Sequence, residues 1–287
     1  MSNSMGYEHV IQQRRHLVNA EEAIRVSAIH EDIWVEYPLA TKILATVRYM
    51  IQMPKKIQAP CLLIHSNPGM GKSTLFHKIN TIYGFSSGQA NCLASMTIRV
   101  SDTVSHKAFA TSVVTTLTGG AYKKSAIDDK SLVSAIAMRN IVGIMFDELN
   151  DILLSGRLDQ AKNMKYLKEL SGYPYSLIII VVGTHACNEA LSADKQLLRR
   201  FTSFELPPWR DERVLLAFIN SYISTFPLRR PSMLGKPSII KHIIHESNGV
   251  LDNIKVLLCH AACWAIIDGR EEIDFEMIKK GRDIPAV

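Results

Sequence analysis

The sequence predicts an α/β protein whose parallel sheet is covered by helices on both faces and followed by a small helical domain. Short apolar runs alternate with amphipathic stretches between residues 61 and 207, a pattern typical of buried parallel strands joined by helices. After Pro207 and Pro208 the strand signals stop and one helical pattern follows another. The chain has 287 residues, enough for one large domain or two smaller ones, and its 47% hydrophobic and 21% charged residues fit a folded protein.

Almost wholly apolar runs predict the strands, at 61–65, 95–100, 141–146, 177–183 and 202–207. Amphipathic spacing predicts the intervening helices, at 73–84, 105–118, 130–140 and 161–171. The helices expected after the two prolines span 210–225, 237–247, 253–268 and 274–281. One more helix is expected at 40–52, with Tyr37 and Pro38 at its start. We therefore expect an N-terminal segment with its helix (1–58), a core (59–207) and a helical domain (208–287).

The composition argues against several classes of protein. No apolar run approaches the ~18 to 20 residues that span a bilayer, and residues 1–20 lack the apolar core of a signal peptide. We therefore expect a cytoplasmic protein with no membrane contact. The 5 cysteines form no CxxC pair and are expected to be small buried side chains. The net charge of +6 is compatible with nucleic-acid contact but is weak evidence by itself.

The stretch "SNPGMGKS" at 66–73 follows the first strand and matches the phosphate-loop pattern G-x-x-x-x-G-K-[S/T] at every position except the first, Ser66. Glycines let the backbone turn so that its N–H groups face phosphate oxygens, while the lysine contributes charge and the serine a hydroxyl for Mg²⁺. The start of a helix adds its positive end at the same place. The predicted nucleotide-binding residues are Asn67, Pro68, Gly69, Met70, Gly71, Lys72, Ser73 and Thr74, with Ser73 also a metal ligand.

The run "GIMFDELN" at 143–150 predicts a buried strand that ends in Asp147 and Glu148. We expect this strand to lie next to the first one, so that Asp147 holds Mg²⁺ directly or through water. Glu148 is then placed to orient and activate an attacking water, which favours hydrolysis over phosphate transfer to a bound substrate. The alternative is a strand followed by an ordinary acidic turn.

Two further positions fit hydrolysis of a nucleotide. Thr184 ends the apolar strand at 177–183, beside the Asp147 strand, and could contact the terminal phosphate or the water; its alternative is a cap of the following helix. Arg199 and Arg200 precede the last strand, where an arginine could reach the nucleotide of a neighbouring subunit as an arginine finger. Their alternative is a basic helix end, which the helix dipole favours.

Longer stretches resemble the TniB family of transposition ATPases, relatives of the TnsC regulators within the AAA+ superfamily. The resemblance runs from about Arg25 to Ile273. It is carried by "IRVSAIHEDIWVEYPLA", "MFDELNDILLSG", "VGTHACNEALSADKQLLRRFTSFELPPW" and "FPLRRPSML". The run around Arg200 is far more specific than the phosphate loop alone.

The resemblance implies a RecA-like AAA+ core with a C-terminal helical lid, in which Arg200 is the finger and Arg199 its neighbour. It implies that Trp34, Tyr37 and Pro38 help to line the nucleotide pocket; packing against the core is the alternative for each. It also implies ATP-dependent assembly on DNA as a ring or helical filament, and contacts to a transposase and a target-selection protein of the TniQ type.

The sequence departs from the family pattern at three positions. Ser66 replaces the first loop glycine, and Asn150 stands where the family often has histidine. Asn253, with Lys255 nearby, occupies the lid position where many AAA+ proteins carry a sensing arginine. We therefore expect hydrolysis to be slow.

Relatives that encircle DNA use loops that match 99–109 and 118–130, so Lys107, Lys123 and Lys124 are the candidates for contact with duplex DNA. Solvated surface lysines are the alternative. No helix-turn-helix or zinc motif is evident in the sequence, so we expect little reading of base sequence.

Two rival functions share the predicted core. A helicase-loader ATPase also binds ATP and DNA, but the Trp34–Pro38 segment and the "LPPW" run argue against it. The other rival is a nucleotide-gated scaffold with negligible hydrolysis, which measurement of phosphate release would distinguish.

Overall fold

The computed structural model describes residues 6–86, 88–103, 105–192 and 195–285. The chain folds as two compact units. One unit is Leu39–Leu206, called here the sheet unit; the other joins Met1–Pro38 to Pro207–Val287 and is called the helical unit. The division expected at residue 58 stays a prediction.

The strands are β1 (Cys61–His65), β2 (Cys92–Thr97), β3 (Ile141–Asp147), β4 (Ile178–Gly183) and β5 (Phe201–Glu205). The first seven helices are α1 (Glu22–Ile29), α2 (Pro38–Gln52), α3 (Lys72–Tyr83), α4 (Val100–Thr103), α5 (His106–Thr118), α6 (Asp129–Met138) and α7 (Arg157–Leu170). The others are α8 (His185–Ser192), α9 (Lys195–Leu198), α10 (Glu212–Ile223), α11 (Pro237–Ser247), α12 (Leu251–Ile267) and α13 (Phe275–Lys280). Short 3₁₀ helices cover Gln12–Leu17, Lys124–Ala126 and Leu149–Leu154.

The five strands form one parallel sheet in the order β2-β3-β4-β1-β5. The prediction that the Asp147 strand lies next to the first strand is wrong, because β4 pairs with both β1 and β3 and separates them. The expected neighbourhood of the Thr184 strand and the Asp147 strand is confirmed. All residues of β1 and β4 are buried, as expected for central strands covered on both faces.

The second strand is the clearest error in the predicted boundaries, since it spans Cys92–Thr97 instead of 95–100. Cys92 and Leu93 are fully buried and pair with β3, so the strand begins earlier. It also ends earlier, because the Asp102 carboxylate accepts a hydrogen bond from the Arg99 N–H at 2.8 Å and α4 starts at Val100. The apolar content of 98–100 therefore did not identify a strand.

The helical unit is held by a buried ion pair between distant parts of the chain. Arg25 of α1 donates to both carboxylate oxygens of Glu271 and, at 3.0 and 2.9 Å, to the Pro227 carbonyl. Arg25 is 2% exposed and Glu271 is 8% exposed. The arginine and the "FPLRRPSML" stretch, two segments quoted for the family resemblance, are thus direct partners in the fold.

Aromatic side chains form a second cluster in the helical unit. The Tyr37 ring packs edge-on against Trp209 with ring centroids 5.0 Å apart, and Phe218 lies 4.8 Å from Trp209. Burial raises the pKa of Tyr37 to about 12. The Trp209 amide is bound by the Gly249 carbonyl at 2.8 Å, so the end of the "LPPW" run is fixed to the start of α12.

The five cysteines are buried free thiols, as expected. Within the described ranges, no single helix is long and apolar enough to cross a membrane; α11 and α12 meet that test only as a pair bent by 119°.

Candidate nucleotide site

The loop between β1 and α3 has the backbone geometry that the phosphate-loop pattern predicts. Gly69 and Gly71 adopt φ values of 75° and 83°, a region open to glycine and strained for other residues. Gly71 immediately precedes α3, so Lys72 and Ser73 lie in the first turn of that helix. The first backbone N–H groups of a helix have no partner within it, which makes this end of α3 suited to an anion.

Lys72 is buried and held by the loop itself. Its Nζ lies 3.0 Å from the Asn67 carbonyl oxygen and 3.3 Å from both the carbonyl and the hydroxyl oxygen of Ser66. Ser66 does not adopt a positive φ, and its N–H donates to the Gly183 carbonyl at 3.3 Å. The missing first glycine therefore costs this loop no backbone strain, and the serine hydroxyl helps to position the lysine.

The other loop residues differ in their exposure to solvent. Asn67, Pro68, Ser73 and Thr74 are exposed, whereas Met70 is 2% exposed and packs into the core. Met70 is thus a structural member of the loop, and only its backbone is available to a ligand.

Asp147 ends β3 at the same edge of the sheet as the loop, because all strands run in one direction. The side chain is 5% exposed, and burial, followed by the charge of Glu148, raises the pKa of its carboxyl above the ordinary range. The Glu148 N–H, His77 and Lys72 oppose this rise, so the carboxylate lies within electrostatic range of α3. A buried carboxylate in this state is stabilised by an added cation, which fits a metal ligand.

Glu148 adopts a left-handed backbone conformation, with φ 55° and ψ 38°. This conformation costs a non-glycine residue roughly 1–3 kcal/mol and recurs at functional sites, although it is not confined to them, since Glu271 of the helical unit also has a positive φ of 64°. The half-buried Glu148 makes the turn from β3 into the 3₁₀ helix Leu149–Leu154.

Asn150 connects the ends of β3 and β4. Its Oδ1 accepts a hydrogen bond from the Thr184 N–H at 3.2 Å, and its Nδ2 donates to Asp151 at 2.8 Å. A Cβ on Gly183 would lie 2.9 Å from the same Oδ1, so the glycine permits this close approach. Thr184 immediately precedes α8, and its sensing role stays a prediction. Asn150 entered the sequence analysis only as a departure from the family; its bridging contact was missed.

Two histidines beside the phosphate loop were also missed. His65 ends β1 and His185 begins α8, and their Nδ1 atoms are 3.1 Å apart. The Nε2 of His65 is 3.0 Å from the Ser203 hydroxyl of β5. Burial and the neighbouring His185 lower the pKa of His65, which favours its neutral form. The signal was present in the sequence, because His65 is the last residue of one predicted strand and His185 directly follows Thr184 at the end of another.

Arg199 and Arg200 lie at the opposite edge of the sheet, just before β5. The Arg200 carbonyl accepts the Cys61 N–H at 2.8 Å, so this backbone is level with the start of β1, whereas the phosphate loop follows the end of β1. The Arg200 guanidinium is half-buried and donates from Nη1 to the Lys168 carbonyl and the Ser171 hydroxyl, at 3.0 and 2.8 Å. Arg199 is exposed.

The candidate DNA lysines lie around α5. Lys107 and Lys123 are exposed; Lys124 is half-buried, with its Nζ 3.6 Å from the Asp129 carboxylate and 5.9 Å from the centroid of the Tyr166 ring. His106, next to Lys107, also packs on Tyr166, at 5.8 Å between centroids. The segment after α5 thus folds back to the start of that helix, where Lys124 and His106 both contact the Tyr166 ring.

The remaining predicted positions lie in the helical unit. Trp34 is half-buried, Tyr37 belongs to the aromatic cluster, and Pro38 is exposed at the start of α2. Asn253 donates to the Ser247 carbonyl at 3.3 Å, and Lys255 lies 3.8 Å from Asp32. Their roles toward a nucleotide stay predictions.

Comparison with solved structures identifies the class of fold. The Aeropyrum pernix ORC2 protein in ADPNP-ADP complexes superposes with a TM-score of 0.62 at 14% identity, over 91% of this chain and 72% of that one. The Aeropyrum pernix ORC1 protein in complex with DNA gives 0.57 at 13% identity, over 90% and 68%. The Thermotoga maritima RuvB Holliday junction branch migration motor gives 0.52 at 14% identity, over 84% and 67%. The expected fold is confirmed: an AAA+ P-loop core with a parallel sheet.

The family is identified by a different comparison. The family model for the Bacterial TniB protein matches residues 25–211, well over half of the chain. The chain therefore belongs to the TniB family, as its sequence resemblance indicated. A search of curated proteins returns no match.

Proposed function

We propose that this protein is an AAA+ ATPase that regulates DNA transposition: it binds ATP with Mg²⁺, assembles on duplex DNA and links target selection to the transposase. Membership of the TniB family supports the transposition role. Three features support the nucleotide site: the left-handed backbone of Gly69 and Gly71, the burial of Lys72 in the loop, and the buried carboxylate of Asp147, whose charge a cation would stabilise.

One observation carries the proposal: a phosphate loop and a candidate arginine finger occupy opposite edges of one sheet. Lys72 follows the end of β1, and Arg200 is level with its start. A strand of this length spans about 16 Å, too far for Arg200 to reach its own subunit's phosphates around the sheet. A complete catalytic set therefore needs two subunits, which makes assembly and hydrolysis interdependent.

Each side chain has a physical role in this scheme. The loop amides and Lys72 hold the triphosphate, and Ser73 and Asp147 hold Mg²⁺, which supplies positive charge to the reacting phosphate. Glu148 accepts a proton from the attacking water, and Thr184 contacts the terminal phosphate or that water. Arg200 of the adjacent subunit stabilises charge in the transition state, with Arg199 as its neighbour.

Contact with DNA is assigned to Lys107, Lys123 and Lys124. The ORC1 structure with a similar fold is a complex with DNA, which supports a DNA-bound assembly here. Lysine contacts to phosphates carry no sequence information, so binding should be largely non-specific and salt-sensitive. Transposase and a TniQ-type protein are the proposed protein partners, because the chain is a TniB protein.

The test is the Glu148→Gln variant, which keeps the size of the side chain and removes its basic carboxylate. We expect it to bind ATP and to assemble on duplex DNA, yet to release phosphate at least about a hundredfold more slowly than wild type, the lower end of the range for loss of a general base. Assembly is followed by negative-stain imaging and hydrolysis by phosphate release, both with DNA and Mg²⁺.

The control is Lys72→Ala, which should lose ATP binding and assembly together. Hydrolysis by Glu148→Gln at the wild-type rate would disprove the role of Glu148. Wild-type assembly with ATP but negligible phosphate release would favour the scaffold, and recovery of a replicative helicase without transposase would favour the helicase loader.

A further inference from the structure

Arg200 is held by the end of α7 in a way that leaves part of its guanidinium unused. Nη1 donates to the Ser171 hydroxyl at 2.8 Å and to the Lys168 carbonyl at 3.0 Å. Nη2 makes no hydrogen bond within the described ranges, although it can donate two. The side chain is therefore anchored through one nitrogen and has another available for a partner.

The anchor itself is rigid. Ser171 is fully buried, its N–H is bound by the Leu167 carbonyl at 3.1 Å, and its carbonyl accepts the Ala59 N–H at 2.8 Å. Its hydroxyl donates to the Lys168 carbonyl at 3.1 Å, which leaves an oxygen lone pair for Arg200. Ser171 is thus fixed by hydrogen bonds that do not involve Arg200.

The charge at this place also favours an arginine. The Lys168 carbonyl belongs to the last turn of α7, where carbonyls lack partners within the helix and the dipole is negative. The Arg200 backbone is fixed as well, by its N–H to the Leu197 carbonyl at 2.9 Å and its carbonyl to the Cys61 N–H at 2.8 Å. Only the direction of the long side chain is left to be set, and Ser171 and Lys168 set it.

We infer that Ser171 is a positioning residue: it holds Nη1 of Arg200 so that Nη2 is presented to the nucleotide of the adjacent subunit. The inference rests on the proposed function. A long arginine without such a hold samples many rotamers, and each one that misses the phosphate loses its contribution to the rate. Ser171 is fully buried and acts through its hydrogen bond to Arg200.

The experiment uses mixed assemblies of full-length chains on duplex DNA. A Glu148→Gln chain keeps its finger but has an inert site, and an Arg200→Ala chain keeps its site but has no finger. Each chain alone should hydrolyse ATP poorly. Their mixture should recover activity at those junctions where Arg200 of the Glu148→Gln chain reaches the nucleotide site of the Arg200→Ala chain.

Ser171→Ala is then placed in one chain at a time. In the Glu148→Gln chain it should lower the recovered rate about tenfold, the loss expected when one hydrogen bond to a charged group is removed. In the Arg200→Ala chain the same substitution has no guanidinium to orient, and the recovered rate should change less than twofold. Ser171→Thr in the finger-donating chain keeps a hydroxyl and should restore most of the rate, with melting curves checking that each variant folds.

The outcomes separate the two proposals. Equal losses from both placements would make Ser171 a purely structural residue, and no loss from either would make its contact with Arg200 irrelevant; each result overturns the inference. If the unmodified mixture recovers no activity, Arg200 does not act between subunits, which overturns the proposed arrangement of the site and the inference about Ser171 with it.

Discussion

Two buried carboxylates, Asp147 in the sheet unit and Glu271 in the helical unit, are treated in opposite ways. Both are more than nine-tenths buried, with exposed fractions of 5% and 8%. Burial and the neighbouring Glu148 raise the pKa of Asp147. Burial also acts to raise the pKa of Glu271, but hydrogen bonds and charge from Arg25 outweigh it and leave this pKa below its ordinary value.

The difference separates a candidate metal-binding residue, Asp147, from a structural ion pair, Arg25–Glu271. Glu271 has its counter-charge within the fold, so its burial adds to the stability of the native chain. Within the described ranges Asp147 makes no ion pair, and the more distant charges of His77 and Lys72 only partly offset its burial, so a bound metal would stabilise its charge. Backbone strain does not separate the two places, because Glu148 and Glu271 both have positive φ values, 55° and 64°; the difference lies in the counter-charge alone.

Breaking the Arg25–Glu271 ion pair should have the largest effect on stability. Arg25→Met removes the cation and leaves Glu271 buried without its main partner, which should cost about 3–5 kcal/mol of unfolding free energy. Urea unfolding of the full chain measures this loss. The matched control is Arg229→Met: Arg229 lies 3.3 Å from Glu271, but its side chain is 50% exposed, so the loss should stay below about 1 kcal/mol. Equal losses of unfolding free energy in the two variants would mean that the buried Arg25–Glu271 pair does not stabilise the fold more than the exposed arginine does.

The two carboxylates should also give opposite dependences on pH. A depressed pKa makes the Glu271 contribution present above its unfolded pKa of about 4.3 and lost as pH falls through the folded pKa. A raised pKa makes the Asp147 carboxyl destabilising as pH rises from about 3.9 through its folded pKa. We therefore expect Asp147→Asn to raise Tm by about 2–4 °C at pH 7 without nucleotide, and Glu271→Gln to lower it.

The measurement is thermal melting between pH 3 and 8. The Tm gain of Asp147→Asn should vanish at the acid end, where the wild-type carboxyl is protonated, and the Tm loss of Glu271→Gln should shrink there. A Tm loss for Asp147→Asn at pH 7 would show that its charge is already compensated in the free protein.

The contrast also explains what the sequence could predict. The phosphate loop depends on the local spacing of Gly69, Gly71 and Lys72, so its place and conformation follow from adjacent residues. The Arg25–Glu271 pair joins residues 246 positions apart, and no local pattern pairs them. The position of β4 between β1 and β3 is likewise a property of strand order, which apolar periodicity does not encode.

Among the site residues, contacts between distant parts of the chain are again what the sequence could not predict. His65 and His185 are 120 positions apart and Asn150 and Thr184 are 34 apart, and only the shared edge of a parallel sheet brings them together. The finger candidates were found by a motif, but the hold of Ser171 on Arg200 needed the end of α7 to be placed beside β5.

The smallest expected effect concerns the hydrogen bond between Asn150 and the Thr184 N–H, at the edge of the sheet that carries the phosphate loop. Asn150→Ala removes the acceptor for the Thr184 N–H and should lower stability by about 1 kcal/mol, or Tm by about 2–4 °C, as for an ordinary hydrogen bond. It should also slow hydrolysis several-fold if the end of β4 must be fixed. Asn80→Ala is the matched control, because Asn80 Oδ1 accepts a hydrogen bond from Ser95 at 2.8 Å, away from this edge. Equal Tm losses with slower hydrolysis only in Asn150→Ala would tie this contact to the site, whereas equal rates would leave it a structural bond like that of Asn80.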